Sequence, residues 1–182
     1  MQDPVSQEKA RPAAPRNAVA SHAGPRCPAL SPATLPASAP ISAAGRVMWQ
    51  EDCASQSLGM ELEAAENGVA RLSMTITPAM LNGHGTCHGG FLFTLADSAF
   101  AFACNSHGER AVAQHCSITY LTPVWGGERI LAEAREEARR GRSGLYRVVL
   151  RRADGEVVAL FEGLARFLGT RLSEEEKPHA TP

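Results

Sequence analysis

The chain lacks most of the features that would place it quickly in a functional class. Its 18 basic and 19 acidic side chains leave a net charge of −1, so no overall field favours nucleic acid or an anionic membrane. No apolar run approaches the ~18 residues of a membrane-spanning helix, which gives the expectation of a protein outside the membrane. The five cysteines, Cys27, Cys53, Cys87, Cys104 and Cys116, include no Cys-x-x-Cys pair and no zinc-type spacing. They read as reduced thiols in a cytoplasmic protein, with Cys104 and Cys116 as small core residues. No internal repeat and no DNA-binding helix pair occurs.

At 182 residues the chain can form one ordinary domain with a sizeable core. Residues 1–45 stand apart from it. They hold eight of the 12 prolines among alanines and serines, with few large apolar side chains. Such a segment buries too little to offset its ordering entropy and is expected to be disordered. It has no continuous apolar stretch for a secretory signal, and its prolines would break the amphipathic helix of a transit peptide. A translation start near Met48 is an alternative. The tail over 170–182, with Glu174, Glu175, Glu176 and Pro178, reads as flexible. The working domain is then 46–169.

Within it, Met48 to Leu58 reads as a short helix stopped by Gly59. A strand over Met60 to Ala65 meets Asn67-Gly68, the clearest hairpin signal in the chain. Val69 to Thr77 returns with alternation, Leu72, Met74 and Ile76 on one side against Arg71, Ser73 and Thr75. After an irregular stretch, His88 to Cys104 forms a helix, with Gly108 as its stop. The remainder is strand: Ala111 to Thr122, Arg129 to Ala138, Leu145 to Arg152 and Val157 to Phe167. One hairpin, one long helix and a run of strands suggest an antiparallel sheet wrapped around a central helix, an α+β fold.

That helix carries the chemistry. It is apolar on nearly every side, as buried helices are, yet holds Asp97 in its middle. An unpartnered buried carboxylate costs several kcal/mol, so it has either a structural partner or a use. The glycines after His88 admit close approach to the backbone, and the first helical turn offers free N–H groups and a positive dipole end. A site able to hold an oxyanion therefore lies two turns from an acid, which suggests hydrolysis of an activated carbonyl.

The run Asn82-Gly83-His84-Gly85-Thr86-Cys87-His88-Gly89-Gly90, then Thr94-Leu95-Ala96-Asp97-Ser98, resembles the hotdog-fold acyl-CoA thioesterases, most closely the PaaI type of phenylacetic acid degradation. Ile118-Thr119-Tyr120-Leu121-Thr122-Pro123 suits the same family, and the resemblance covers 46–169. It implies a hotdog fold, a long central helix wrapped by a five- to six-stranded antiparallel sheet. It also implies homodimers pairing into a homotetramer, with Asp97 of one subunit facing Gly89 of the other. The expected substrates are (hydroxy)phenylacetyl-CoA or related aryl and medium-chain acyl-CoA thioesters.

On that resemblance the Gly89 N–H would stabilise the oxyanion, and Asp97 would act as general base or as nucleophile. Asn82 would orient water or the carbonyl, or else structure its own loop. His88 is equally a turn-fixing residue and a hydrogen-bond donor to the thioester. Gln114 falls near an accessory position that relatives fill with a small hydroxyl residue. His115 and Ser117 lie opposite it. Arg139, Arg140 and Arg142 form the best basic loop for the phosphates of coenzyme A, with Ser143 and, at the helix start, Gly90 completing the contacts. The chemistry needs neither metal nor cofactor, and no ligand cluster suggests one. The alternatives are a hydratase or dehydratase on the same fold, pairing His88 with Asp97, and a non-catalytic acyl-CoA-binding module.

Overall fold

The structure is a computed structural model that describes residues 35–172, and all structural statements refer to these. The expected disorder of 1–34 and the expected flexibility of 173–182 lie outside them.

The Asn67-Gly68 signal closes the first hairpin. Both residues have positive φ (50° and 78°), as a two-residue turn matching the strand twist requires, and β1 (Glu61–Glu66) meets β2 (Val69–Thr75) directly across it. The alternation in β2 is borne out on the inner side: Leu72, Met74 and Ile76 are buried. Ser73, on the other side, is also buried and accepts a hydrogen bond from Arg129 (2.7 Å). A short 3-10 turn and an irregular loop lead to helix α3 (Gly89–Asn105). Then come β3 (Glu109–Tyr120), β4 (Arg129–Arg140), β5 (Ser143–Arg152) and β6 (Val157–Arg171). The six strands form one antiparallel sheet in the order β1-β2-β4-β5-β6-β3, with α3 packed along it: the hotdog arrangement.

The sheet covers one side of α3. Leu92, Leu95, Ala96, Ala99, Phe100, Phe102 and Ala103 are buried, and Phe100 packs edge-on against Tyr146. The helix is therefore not buried all round, as its composition suggested. Thr94, Asp97 and Ala101, a stripe at helical spacing, are only half-buried. The C-terminal end is tied down by polar side chains. Asn105 bonds both the N–H and the C=O of Ala111, and Ser106 accepts from the Gly68 N–H, joining helix, β3 and hairpin turn.

Three differences from the sequence reading concern boundaries. The packed chain begins before residue 46: Ile41 is buried and bridges to Ala65, and helix α1 runs over Ala43–Glu51 with Ser42 as its cap. The single helix expected over 48–58 is two, α1 and α2 (Cys53–Ser57), because the Asp52 side chain caps a new start at Ser55 N–H. Arg139, Arg140 and Ser143 are not in a loop, since a two-residue turn at Gly141-Arg142 lets β4 and β5 pair up to Arg140 and Ser143. Cys87, Cys104 and Cys116 are free thiols, but Cys53 is disulfide-bonded, contrary to the expectation of reduced thiols throughout.

Helix and sheet pack tightly at Gly163 on β6, where an added Cβ would lie 2.8 Å from the fully buried Phe100 ring. Gly163→Ala is expected to cost about 1–3 kcal/mol through overpacking, read as a lowered denaturation midpoint. An unchanged midpoint would mean that helix and sheet are not held this tightly.

Candidate active site

The loop before α3 is organised by Asn82. Its Oδ1 accepts from the His84 N–H (2.8 Å) and the Thr86 N–H (3.3 Å), and its Nδ2 donates to Thr86 Oγ1 (3.0 Å). Of the two roles open to Asn82, the intrachain contacts are those of a loop-structuring residue. His88 likewise has a local task. Its Nδ1 accepts from the Gly90 N–H (3.1 Å), which makes it the N-cap of α3, and its carbonyl accepts from Phe91. Two of the free amides of the first turn are thus satisfied. That of Gly89 meets no acceptor among the described residues. Gly90 is exposed beside it.

Gly89 opens onto a groove of about 380 Å³ lined by Cys87, Leu92 and the run Tyr120 to Val124. Tyr120 was missed in the sequence. Its hydroxyl donates to the Gly89 carbonyl (2.8 Å), and its ring lies where a Cβ on Gly89 would be, 2.8 Å from Cζ. Only glycine leaves both the ring and the amide in place. The sequence signal was the aromatic at the end of β3, but its contact spans 31 positions and has no local trace.

Asp97 sits two turns along α3. Its carboxylate has one hydrogen-bond partner among the described residues, the thiol of Cys116 on β3 (Sγ···Oδ1 3.7 Å). Burial pushes the Asp97 pKa above the usual carboxylate value, and the Cys116 contact pulls part of the way back. Cys116, expected as a small core residue, is half-buried against the core and also faces the acid. The reason is a register shift: Ala113 pairs with Ala165 and His115 with Leu164, leaving Gln114 as the extra residue of a bulge. Past the bulge the side facing the helix carries Cys116 and Ile118, while Gln114 itself is exposed.

The arginines are placed elsewhere. Arg139 is salt-bridged to Glu109 (2.5 Å) and stacks on Phe167 (3.7 Å to the ring centre), and Arg142 Nε donates to the Phe167 carbonyl (3.0 Å). Arg140 and Ser143 pair across the strand ends. Glu109 begins β3 and Tyr120 ends it, so these groups lie roughly 35 Å along the strand from Gly89 of the same chain. No group of side chains suited to holding a metal occurs among the described residues.

Residues 84–159 match the thioesterase superfamily. Over 128 residues the chain is 39% identical to the acyl-coenzyme A thioesterase PaaI of Escherichia coli K12, spanning 70% of this chain and 91% of that protein. The chain belongs to the PaaI-type acyl-CoA thioesterases. It is a thioester hydrolase. The solved structure of the E. coli PaaI protein from the phenylacetic acid degradation operon superposes with a TM-score of 0.68 at 38% identity, covering 70% of this chain and 93% of that one. A mutant form of the phenylacetic acid degradation protein PaaI from Thermus thermophilus gives a TM-score of 0.59 at 40% identity, covering 62% and 96%. The smu.793 protein of Streptococcus mutans UA159, solved with bound acetyl CoA, gives 0.59 at 25% identity, covering 62% and 90%. Among the described residues no helix is long and apolar enough to cross a membrane.

In a PaaI-type thioesterase the raised pKa of Asp97 has a cost for folding. A carboxyl with a higher pKa folded than unfolded makes the native state bind more protons, so its contribution to stability falls as pH rises through the carboxylate range. Asp97→Asn removes that penalty. The variant is expected to unfold at a higher denaturant concentration than wild type at pH 7 and at an equal one near pH 3. Equal midpoints at both pH values would mean that the folded and unfolded pKa values do not differ.

Proposed function

We propose that the chain hydrolyses (hydroxy)phenylacetyl-CoA or related aryl and medium-chain acyl-CoA thioesters to the free acid and coenzyme A, at a site shared between two copies of itself. The observation that carries this reading is the placement of two groups on one rigid rod. The unoccupied Gly89 N–H and the Asp97 carboxylate lie eight residues apart on α3, about 12 Å at helical rise. A thioester carbonyl held by the first and a water held by the second would be too far apart to react within one chain. A second copy lying alongside, with its helix reversed, would bring its Asp97 to this Gly89.

The edge of the sheet supports such pairing. β3 is the last strand in the sheet, 12 residues long, and mostly exposed on both faces. A long unpaired edge strand is a template for addition of another strand, and a two-fold axis there would continue the sheet from one subunit into the next. Two dimers would then pair as a homotetramer in the cytoplasm. In the antiparallel arrangement the start of one β3, with Arg139, Arg140 and Arg142 nearby, approaches the end of its partner, with Gly89 and Tyr120. Coenzyme A phosphates at the first and the thioester at the second is the reading this supports.

In the reaction the Gly89 amide takes up the negative charge that develops on the thioester oxygen. Asp97 either removes a proton from the attacking water, so that the acid forms as coenzyme A thiolate leaves, or attacks the carbonyl itself, expelling the thiolate and forming a mixed anhydride that water then cleaves to the free acid and the regenerated carboxylate. Its raised pKa suits a base, because a less stabilised carboxylate holds a proton more strongly. Asn82 shapes the loop that presents Gly89, and His88 caps the helix beneath it. The groove around Tyr120 and Leu121, open and largely apolar, suits an aryl or alkyl group more than a charged one.

Free-thiol release from phenylacetyl, hydroxyphenylacetyl, benzoyl, acetyl and octanoyl CoA is the direct test. Wild type is expected to release thiol from the aryl-acetyl esters best, and Asp97→Asn to lower kcat by at least about a hundredfold. Turnover of acetyl CoA alone would overturn the substrate assignment. Near-native kcat in Asp97→Asn would overturn the role of the acid.

A further inference from the structure

A catalytic carboxylate has to be aimed, and side chains that aim one usually do so with strong donors such as an amide, a hydroxyl or a guanidinium. None of these reaches Asp97 among the described residues. What reaches it is a thiol. Cys116 lies on the helix-facing side of β3, half-buried, with Sγ 3.7 Å from Oδ1. Thiols are weak donors, so such a contact fixes the direction of a carboxylate while withdrawing little of its basicity.

We propose that Cys116 is a positioning residue for the hydrolysis: its S–H, donated to Asp97 Oδ1, holds the carboxylate in its reactive orientation and keeps it strong enough as a base. This rests on the role proposed for Asp97 above. It adds that the weakness of the donor is itself functional, and that the bulge at Gln114 exists in part to bring position 116, rather than 115 or 117, to the acid.

The charge state of the thiol fits. Cys116 on β3 acts on Asp97, and the carboxylate in turn acts on both Cys116 and Cys104, further along α3. Burial and the neighbouring carboxylate push Cys116 up to about 11, and burial pushes Cys104 up to about 12. Both therefore stay protonated where the carboxylate is charged. Cys116 can donate and carries no negative charge to repel Asp97. For the same reason it is a poor nucleophile, since the thiolate is the reactive form. It acts through Asp97 and not on substrate.

The experiment compares Cys116→Val, which keeps nearly the same volume without a donor, with Cys116→Ser, which keeps a donor on a shorter bond. Each is assayed by thiol release across pH beside wild type and Asp97→Asn. The acid limb of kcat/KM reports the pKa of the base in the free enzyme. Loss of the donor raises that pKa, so the Val variant is expected to show its acid limb at higher pH and a plateau kcat lowered by roughly three- to tenfold. The Ser variant, whose hydroxyl is the stronger donor, should move the acid limb the other way, to or below the wild-type pH, with a plateau lowered because the carboxylate is a weaker base. A Val variant with wild-type limb and plateau, while Asp97→Asn is inactive, overturns the role of Cys116 alone. Full activity in Asp97→Asn overturns the base reading and the inference with it. Circular dichroism and the unfolding midpoint of the Val variant separate a shifted limb from a loss of fold, because a packing role would move the midpoint without moving the limb.

Discussion

A single helix fixes the distance between the two groups on which the proposed chemistry rests. The peptide geometry of α3 sets Gly89 and Asp97 about 12 Å apart and leaves no freedom to close that gap. The rest of the chain holds this rod in place. The sheet buries one side of it around Phe100, Trp49 of α1 packs on Phe102, Asn105 and Ser106 tie its end to β3 and the first hairpin, and His88 caps its start. A rod held this rigidly sets the Asp97 carboxylate and the Gly89 N–H at fixed positions, and in the proposed mechanism a second copy would bring the complementary pair.

β3 is the element through which that rod is adjusted. Two of its side chains reach α3, Cys116 at Asp97 and Tyr120 at Gly89. The strand is also the exposed edge of the sheet. Cys116 and Tyr120 therefore lie beside the surface where, in the proposed dimer, another chain would add. The thioesterase function of the family and the architecture of a single subunit meet on this strand.

Much of this is legible in the sequence. Asn67-Gly68 demands a tight turn whatever surrounds it, Gly108 permits the left-handed stop, and the apolar run after His88 needs a sheet to cover it. Asp97, Gly89 and Asn82 stand out because a carboxylate, a glycine pair and an amide at these spacings resemble a known motif. What sequence cannot carry are contacts made across the fold. Cys116 reaches Asp97 only because a bulge at Gln114 changes which residues of β3 face inward, and a one-residue shift leaves no mark in composition. Tyr120 reaches Gly89 from the far end of the same strand. Arg139 and Arg142 look like a free basic loop, but Glu109 and the Phe167 carbonyl take them up within the chain. At the N-terminal side, proline content hides the short stretch over 39–45 in which Ala44 is buried and Ile41 bridges to Ala65 of β1.

The central claim is that the working site draws Gly89 from one chain and Asp97 from another. Co-expression of Asp97→Asn with Gly89→Pro, each carrying its own tag, allows the mixed species to be purified and assayed. Proline is well tolerated at the first position of a helix and has no N–H, so the second variant removes the oxyanion donor and keeps the helix, with the Tyr120 ring pushed aside. With a shared site, both parents are expected to be inactive and the mixed dimer to keep about half of wild-type activity, because one of its two sites then has both groups intact. A mixed dimer as inactive as its parents would contradict it, and would place both groups in the same chain's site.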